Sequence, residues 1–238
     1  MCNQFDSMKF DVHYRDSTLR VHKVVQRPQL DDAEGKGLAF VSNEGETNAI
    51  FHQSERSTKA IVWVSGAHGG FDGVAHGLYP RLSQLLLLES ITSLRVDYRI
   101  WEDPIHCPLD ALTAVGFLKQ LGYKDIVLVG CSFGGSVVIG AGAACVDVKG
   151  VVSLCPQTLG SLSVSLLTPR PILIVHGWAD ERLPVSYAMK IYGWAKQPKK
   201  LVLFQGAGHA MEECQDELDA LLLDWIPKVL NEPSPTPG

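Results

Sequence analysis

The chain has 238 residues, 46% of them hydrophobic and 20% charged, with a formal net charge of -5 and a sequence pI near 5.9. This composition argues against a disordered or membrane chain, and the acidic balance leaves no basic face for a nucleic-acid partner. The first residues carry an acid and no apolar run, and no later stretch is long and uncharged enough to span a bilayer, so the expectation is a cytoplasmic protein with no membrane span.

Taken in chain order, the opening quarter predicts antiparallel strands at 19–25, 37–42 and 47–52, joined by turns rich in Asp, Gly and Asn. Residues 1–57 then either extend the sheet or cover the face that carries the site. From residue 60 the rhythm changes to short apolar runs at 60–64, 93–97, 125–129, 150–154, 171–175 and 200–204, separated by helix-length segments. Helices are expected at 82–88, 109–121, 187–196 and 211–230, with Gly122 as a stop and with Gly193 and Pro227 weakening the last two. The middle of the Leu85-Leu86-Leu87-Leu88 run is expected in the core. Strands alternating with helices predict an α/β fold: a mostly parallel central sheet with helices on both faces and antiparallel strands at the N-terminus. The domain reading is one domain over 1–230 and a disordered proline-rich tail over 231–238. The six cysteines, Cys2, Cys107, Cys131, Cys145, Cys155 and Cys214, form no C-x-x-C pair and read as reduced thiols.

Chemistry concentrates where apolar runs end. In Gly130-Cys131-Ser132-Phe133-Gly134 a serine stands where the strand at 125–129 stops and a run of small residues over 135–144 begins. That context predicts a nucleophile elbow, whose strained turn needs small neighbours two positions either side of the serine. The run 171–175 is followed by His176-Gly177-Trp178-Ala179-Asp180-Glu181, and the run 200–204 by Gln205-Gly206-Ala207-Gly208-His209. A serine, an acid and a histidine thus follow three strands in that order. Serine needs a base, so Ser132 is the candidate nucleophile, His209 the general base and Asp180 the acid that fixes the imidazole tautomer, with Glu181 the rival acid. A developing oxyanion needs two fixed donors. Phe133 N–H is one candidate. The second is Ala67, then His68, in the glycine-rich loop Ser65-Gly66-Ala67-His68-Gly69-Gly70. Asp97 follows a strand end and is placed either to polarise a site or, standing beside Arg99, to form a structural ion pair, the reading preferred here. His68, His76, His106 and His176 lack metal-ligand spacing.

Taken together, Ser65-Gly66, Asp97-Tyr98-Arg99, Gly130-Cys131-Ser132-Phe133-Gly134-Gly135, His176-Gly177-Trp178-Ala179-Asp180 and Gly208-His209 resemble the α/β-hydrolase superfamily, most nearly its small dienelactone-hydrolase-like and esterase-like members. The resemblance covers about residues 58 to 228. It implies Ser132 as nucleophile, Asp180 as acid and His209 as base. The chain departs from many members in carrying Cys131 before the serine and Ser65-Gly66, rather than His-Gly, at the oxyanion strand end.

Only residues 155–170 separate the fourth apolar run from the fifth, too few for a separate lid domain. The site is therefore expected to be open, with His68, Trp178, Thr158 and Leu159 as candidate substrate contacts and Trp101 as a further wall candidate. The expected function is a serine hydrolase acting on a small or medium carboxylic ester or thioester through an acyl-enzyme, with no metal or organic cofactor implied. The alternatives are a non-catalytic binding module on the same fold and an acyltransferase.

Overall fold

In a computed structural model of the chain, residues 5, 7–33, 35–55 and 57–233 are described. Cys2 and most of the expected tail, 234–238, lie outside them, and Asn231 belongs to the last helix. Strands β1 (Phe10–Tyr14), β2 (Ser17–Gln26), β3 (Lys36–Ser42) and β4 (Gly45–His52) form an antiparallel meander. The chain then alternates: β5 (Lys59–Val64), α1 (Leu78–Leu88), β6 (Thr92–Asp97), α2 (His106–Gln120), β7 (Asp125–Cys131), α3 (Phe133–Ala144), β8 (Val148–Leu154), β9 (Ile172–Gly177), α4 (Ser186–Trp194), β10 (Lys199–Phe204) and α5 (Gln215–Asn231). All ten strands join one sheet in the order β1-β2-β3-β4-β6-β5-β7-β8-β9-β10. The meander pairs antiparallel with β6 through β4, and the remaining strands run parallel. The strands between residues 10 and 52 thus extend the sheet.

Side-chain alternation explains why the parallel strands are apolar throughout. In β5, Ala60, Val62 and Val64 pack into the core on one face while Ile61 and Trp63 pack into the core on the other. Helices α2, α3 and α4 cover the first face, and α1 and α5 the second. Leu78, Leu82 and Leu86 of α1, spaced by four, are all fully buried. The leucine run buries Leu86 but leaves Leu88 84% exposed, because two steps of about 100° each carry Leu88 to the opposite side of the helix.

Several boundaries differ from the expectation. Strand β1 was not expected: Phe10 and Val12 pack towards Gly116 of α2, yet the run Phe10-Asp11-Val12-His13-Tyr14 is short and interrupted by polar residues. Helix α1 begins four residues early, at Leu78, and α2 at His106 rather than 109. The expected helix 211–230 splits into a 3-10 turn, Glu212–Cys214, and α5, which continues through Pro227 to Asn231.

The crossovers place the site. From β5 the chain passes through α1 on one face to β6. From β6 it returns through α2 on the other face to β7, on the far side of β5. The loops leaving β5 and β7 are therefore neighbours that diverge to opposite faces, which opens a crevice at their carboxyl ends.

Candidate active site

The turn from β7 into α3 is as tight as glycine permits. A Cβ on Gly130 would fall 2.1 Å from the Gly134 carbonyl oxygen, and one on Gly134 would fall 2.2 Å from that of Ser65. Between them Ser132 adopts φ 56° and ψ -120°, a conformation costly for a residue with a side chain. Two bonds hold it there. Its N–H donates to the Leu154 carbonyl at 2.8 Å, and its own carbonyl accepts the Gly135 N–H at 3.0 Å. This strand–turn–helix lifts the Ser132 hydroxyl into the crevice.

His209 Nε2 lies 3.1 Å from Ser132 Oγ, and His209 Nδ1 lies 2.8 Å from Asp180 Oδ2. The structure thus brings together three residues from the ends of β7, β9 and β10. The Asp180 side chain is wholly inaccessible. Burial pushes its carboxyl up, but N–H bonds from Leu183 (2.8 Å) and Arg182 (2.9 Å) to Oδ1, with His209 on Oδ2, outweigh that and hold it below the usual carboxylate range. An ionised Asp180 accepts a hydrogen bond from His209 Nδ1–H, the tautomer whose neutral form turns a bare Nε2 to the serine hydroxyl. Glu181, the rival acid, accepts the backbone N–H of His209 at 3.1 Å, and Glu213 accepts that of Gly208 at 3.0 Å. These two carboxylates hold the histidine loop rather than the imidazole.

The loop after β5 forms the other wall. Buried Tyr79 and Tyr98 donate their hydroxyls to the Val64 and Ser65 carbonyls at 2.8 and 2.9 Å, anchoring the strand end. Gly66 approaches so closely that a Cβ there would sit 3.4 Å from Ser132 Cβ. The N–H of Phe133 is in the first turn of α3 and has no carbonyl four residues back within the helix. Asp97 does not pair with Arg99 as the sequence suggests. Its Oδ1 accepts the Gly70 N–H at 2.8 Å, while buried Arg99 reaches Asp110 Oδ1 at 2.6 Å and Glu44 at 3.1 Å. The reason is direction: Asp97 faces the β5 loop, whereas Arg99 lies beyond the strand and turns inward to a carboxylate on α2. Asp97 thus anchors the β5 loop; its place at a strand end is visible in the sequence, but its contact with Gly70 is made only by the fold.

A cavity of about 480 Å³ adjoins the serine, lined by Gly66, Ala67, His68, Ser132, Arg182 and His209 among others. Of the candidate contacts, Ala67 and His68 line it. Trp178, Thr158 and Leu159 do not. Trp178 is 48% exposed, and Leu159 lines a separate, smaller cavity with Phe133, Ser136 and Gln157. Trp101 is also exposed and its indole lies against Gly69. The segment 155–170 holds one 3-10 helix, Ser161–Leu167, beside α3, flanked by turns.

Among the described residues one group has its donors close enough for a metal ion: Cys155, Asp180 and His209, with ligand atoms within 4.8 Å of one another. Asp180 and His209 are already bonded to each other, and burial pushes the Cys155 thiol up, so a cation would have to break that bond and ionise a buried thiol. The donor set fits a hydrogen-bonded relay better than a metal centre.

No family model matches the chain. It is 36% identical over 75 residues to the uncharacterized protein YfhR of Escherichia coli strain K12, covering 30% of this chain and 26% of that one. It is 22% identical over 224 residues to YfhR of Salmonella typhi, covering 74% and 75%. The chain thus spans about a quarter of the Escherichia coli relative and three quarters of the Salmonella one. Among solved structures, the α/β hydrolase GrgF from Penicillium sp. sh18 matches with a TM-score of 0.70 at 16% identity, over 84% of this chain and 100% of that one. Est1E from Butyrivibrio proteoclasticus matches at 0.67 and 18%, over 82% and 99%. No helix among the described residues is long and apolar enough to cross a membrane. The parallel sheet with its antiparallel extension, the elbow at the β7–α3 turn and these superpositions give one conclusion: the chain has the α/β-hydrolase fold.

Proposed function

We propose that the protein is a serine hydrolase that cleaves a small or medium carboxylic ester or thioester through an acyl-enzyme. The observation that carries this reading is the continuous contact from Asp180 through His209 to a serine held in a strained elbow. Nothing in the packing of the core asks for those three residues at three strand ends.

The chemistry follows from the protonation states. His209 Nε2 takes the proton from Ser132 Oγ as the oxygen attacks the acyl carbon, and the carbonyl π electrons move onto the acyl oxygen. The resulting oxyanion is assigned to the N–H of Phe133 and that of Ala67, with His68 the next donor along the loop. His209 returns the proton to the leaving oxygen or sulfur, which departs and leaves Ser132 acylated. Water then repeats the sequence and releases the acid. Throughout, Asp180 stabilises the imidazolium and keeps the tautomer. The cavity at the serine is lined by glycine and alanine backbone together with His68, His76, Arg182 and Glu212, polar groups that a small or medium ester can meet. Est1E has been solved with ferulic acid bound, so a hydroxycinnamate ester is a sensible member of the first substrate panel.

The test is labelling by a fluorophosphonate probe, read by intact mass, in parallel with turnover of short-chain p-nitrophenyl esters. One adduct on the wild type, absent from Ser132→Ala together with turnover, is the expected result. A folded wild-type protein that takes no adduct and turns over no ester would overturn the proposal.

A further inference from the structure

His176 lies in β9 beneath the Asp180 loop, fully buried, and takes no part in the proton transfers above. Its Nε2 is 2.9 Å from the Leu183 carbonyl oxygen, its hydrogen-bond acceptor, and 3.1 Å from Asp180 Oδ2. Both neighbours are acceptors, so the nitrogen between them carries the proton. Nδ1 is buried without a hydrogen-bond partner. A bare lone pair tolerates that better than an N–H, which fixes the same tautomer from the other side of the ring. Burial also lowers the affinity of this imidazole for a second proton.

We propose that His176 is a positioning residue for the serine relay, a neutral imidazole whose Nε2–H ties the Leu183 carbonyl and lies against Asp180 Oδ2, holding the carboxylate in the orientation His209 Nδ1 needs. The proposal rests on the hydrolase reading above. Leu183 is the mechanical link: its carbonyl is held by His176, and its N–H donates to Asp180 Oδ1 at 2.8 Å. The loop from 180 to 183 is thereby closed at both ends around one carboxylate. Without the His176 proton, the Leu183 carbonyl and Asp180 Oδ2 would face each other with nothing between, and one would turn away. There is also an electrostatic effect. The N–H dipole draws charge from the oxygen that serves His209, so removing it makes the carboxylate a stronger acceptor for the His209 Nδ1–H. The other titratable groups facing the pair are Cys155, Glu181, Glu213 and, through Glu181, Arg182. All four are unchanged in the variants below, so any shift belongs to His176.

The experiment compares His176→Phe, which keeps a ring and removes the donor, with His176→Gln, whose side-chain amide restores an N–H near the imidazole Nε2. On a p-nitrophenyl ester, His176→Phe is expected to lower kcat about tenfold, equivalent to about 1.4 kcal/mol at the transition state. KM should stay within about twofold, and the acid limb of the rate profile should move to higher pH. His176→Gln is expected to recover both the rate and the limb. Equal losses in the two variants, or a loss with an unmoved acid limb, would overturn the proposal. A measurement on the wild type stands apart from folding of the variants and from turnover: ¹⁵N NMR of the imidazoles over about pH 5 to 9. His176 is expected to be protonated at Nε2, bare at Nδ1 and not to titrate. Protonation at Nδ1, or titration in that range, would overturn the assignment. Absence of both turnover and probe labelling in the wild type would instead sink the hydrolase reading, leaving the tautomer to be decided by the spectrum.

Discussion

Gly134→Ala tests whether the elbow and the β5 strand end are packed as a unit. The added Cβ would fall 2.2 Å from the Ser65 carbonyl oxygen and 2.8 Å from that of Val64, where real contacts keep at least 3.0 Å. One partner must retreat by about 0.8 Å, the difference between 3.0 and 2.2 Å. Neither carbonyl is free to do so, because Tyr79 and Tyr98 hold them from behind. The strain should cost about 2 kcal/mol, within the usual range for overpacking, and lower the urea midpoint by roughly 1 M for a slope near 2–3 kcal/mol/M. A shift of this size between serine and oxyanion loop should reduce kcat/KM about a hundredfold. The control is Gly193→Ala in α4, where a Cβ meets nothing within 4 Å. That change should raise stability by roughly 0.5–1 kcal/mol and leave activity alone. The assays are urea denaturation followed by circular dichroism and p-nitrophenyl ester turnover. If Gly134→Ala matched the wild type in both, the close approach on which the site description depends would be wrong.

Asp180→Asn keeps the shape but presents an amide to His209 Nδ1, favouring the wrong tautomer; kcat should fall by about 10³–10⁴ with KM little changed, measured by steady-state kinetics. The same residue predicts a pH dependence of stability. Its folded carboxyl is held below the ordinary range, so its contribution is complete above the unfolded value near 4 and is lost as pH falls through the lower folded value. Melting temperatures followed downward from about pH 6 should therefore drop more steeply for wild type than for Asp180→Asn, and parallel curves would refute this. Asp110→Ala strips the Thr47 hydroxyl of its carboxylate and leaves the buried Arg99 guanidinium with Glu44 alone, and should cost about 3 kcal/mol in denaturant titration, the low end for a broken buried pair. Burial pushes the thiols of Cys131 and Cys107 up to about 11 and about 12, so iodoacetamide near neutral pH should spare both until urea unfolds the chain, as peptide mass mapping will show.

Much of this protein is legible in its sequence because the relevant physics is local. Six apolar runs spaced by helix-length segments specify a parallel α/β sheet, since only strands buried on both faces can be so continuously apolar. The glycines around Ser132 announce the elbow because no other residue fits between Ser65, Gly134 and the strand. The chain order of serine, acid and histidine could be read, and the choice of Asp180 over Glu181 could be argued from position. Contacts between distant segments could not. Asp97 was assigned to Arg99 from adjacency, yet the fold turns one to Gly70 and the other to Asp110. Thr158, Leu159 and Trp178 looked like cavity walls because they follow strand ends, but the walls come from the 66–77 loop and from residues 182–183 and 209–212. His176 shows no metal-ligand spacing in the sequence, and only the closure of the loop from 180 to 183 brings its N–H to Leu183 and Asp180. Sequence determines which side chains a strand or helix must bury; which polar groups meet where those elements end is decided by packing, because a few ångströms of loop geometry separate a hydrogen bond from none.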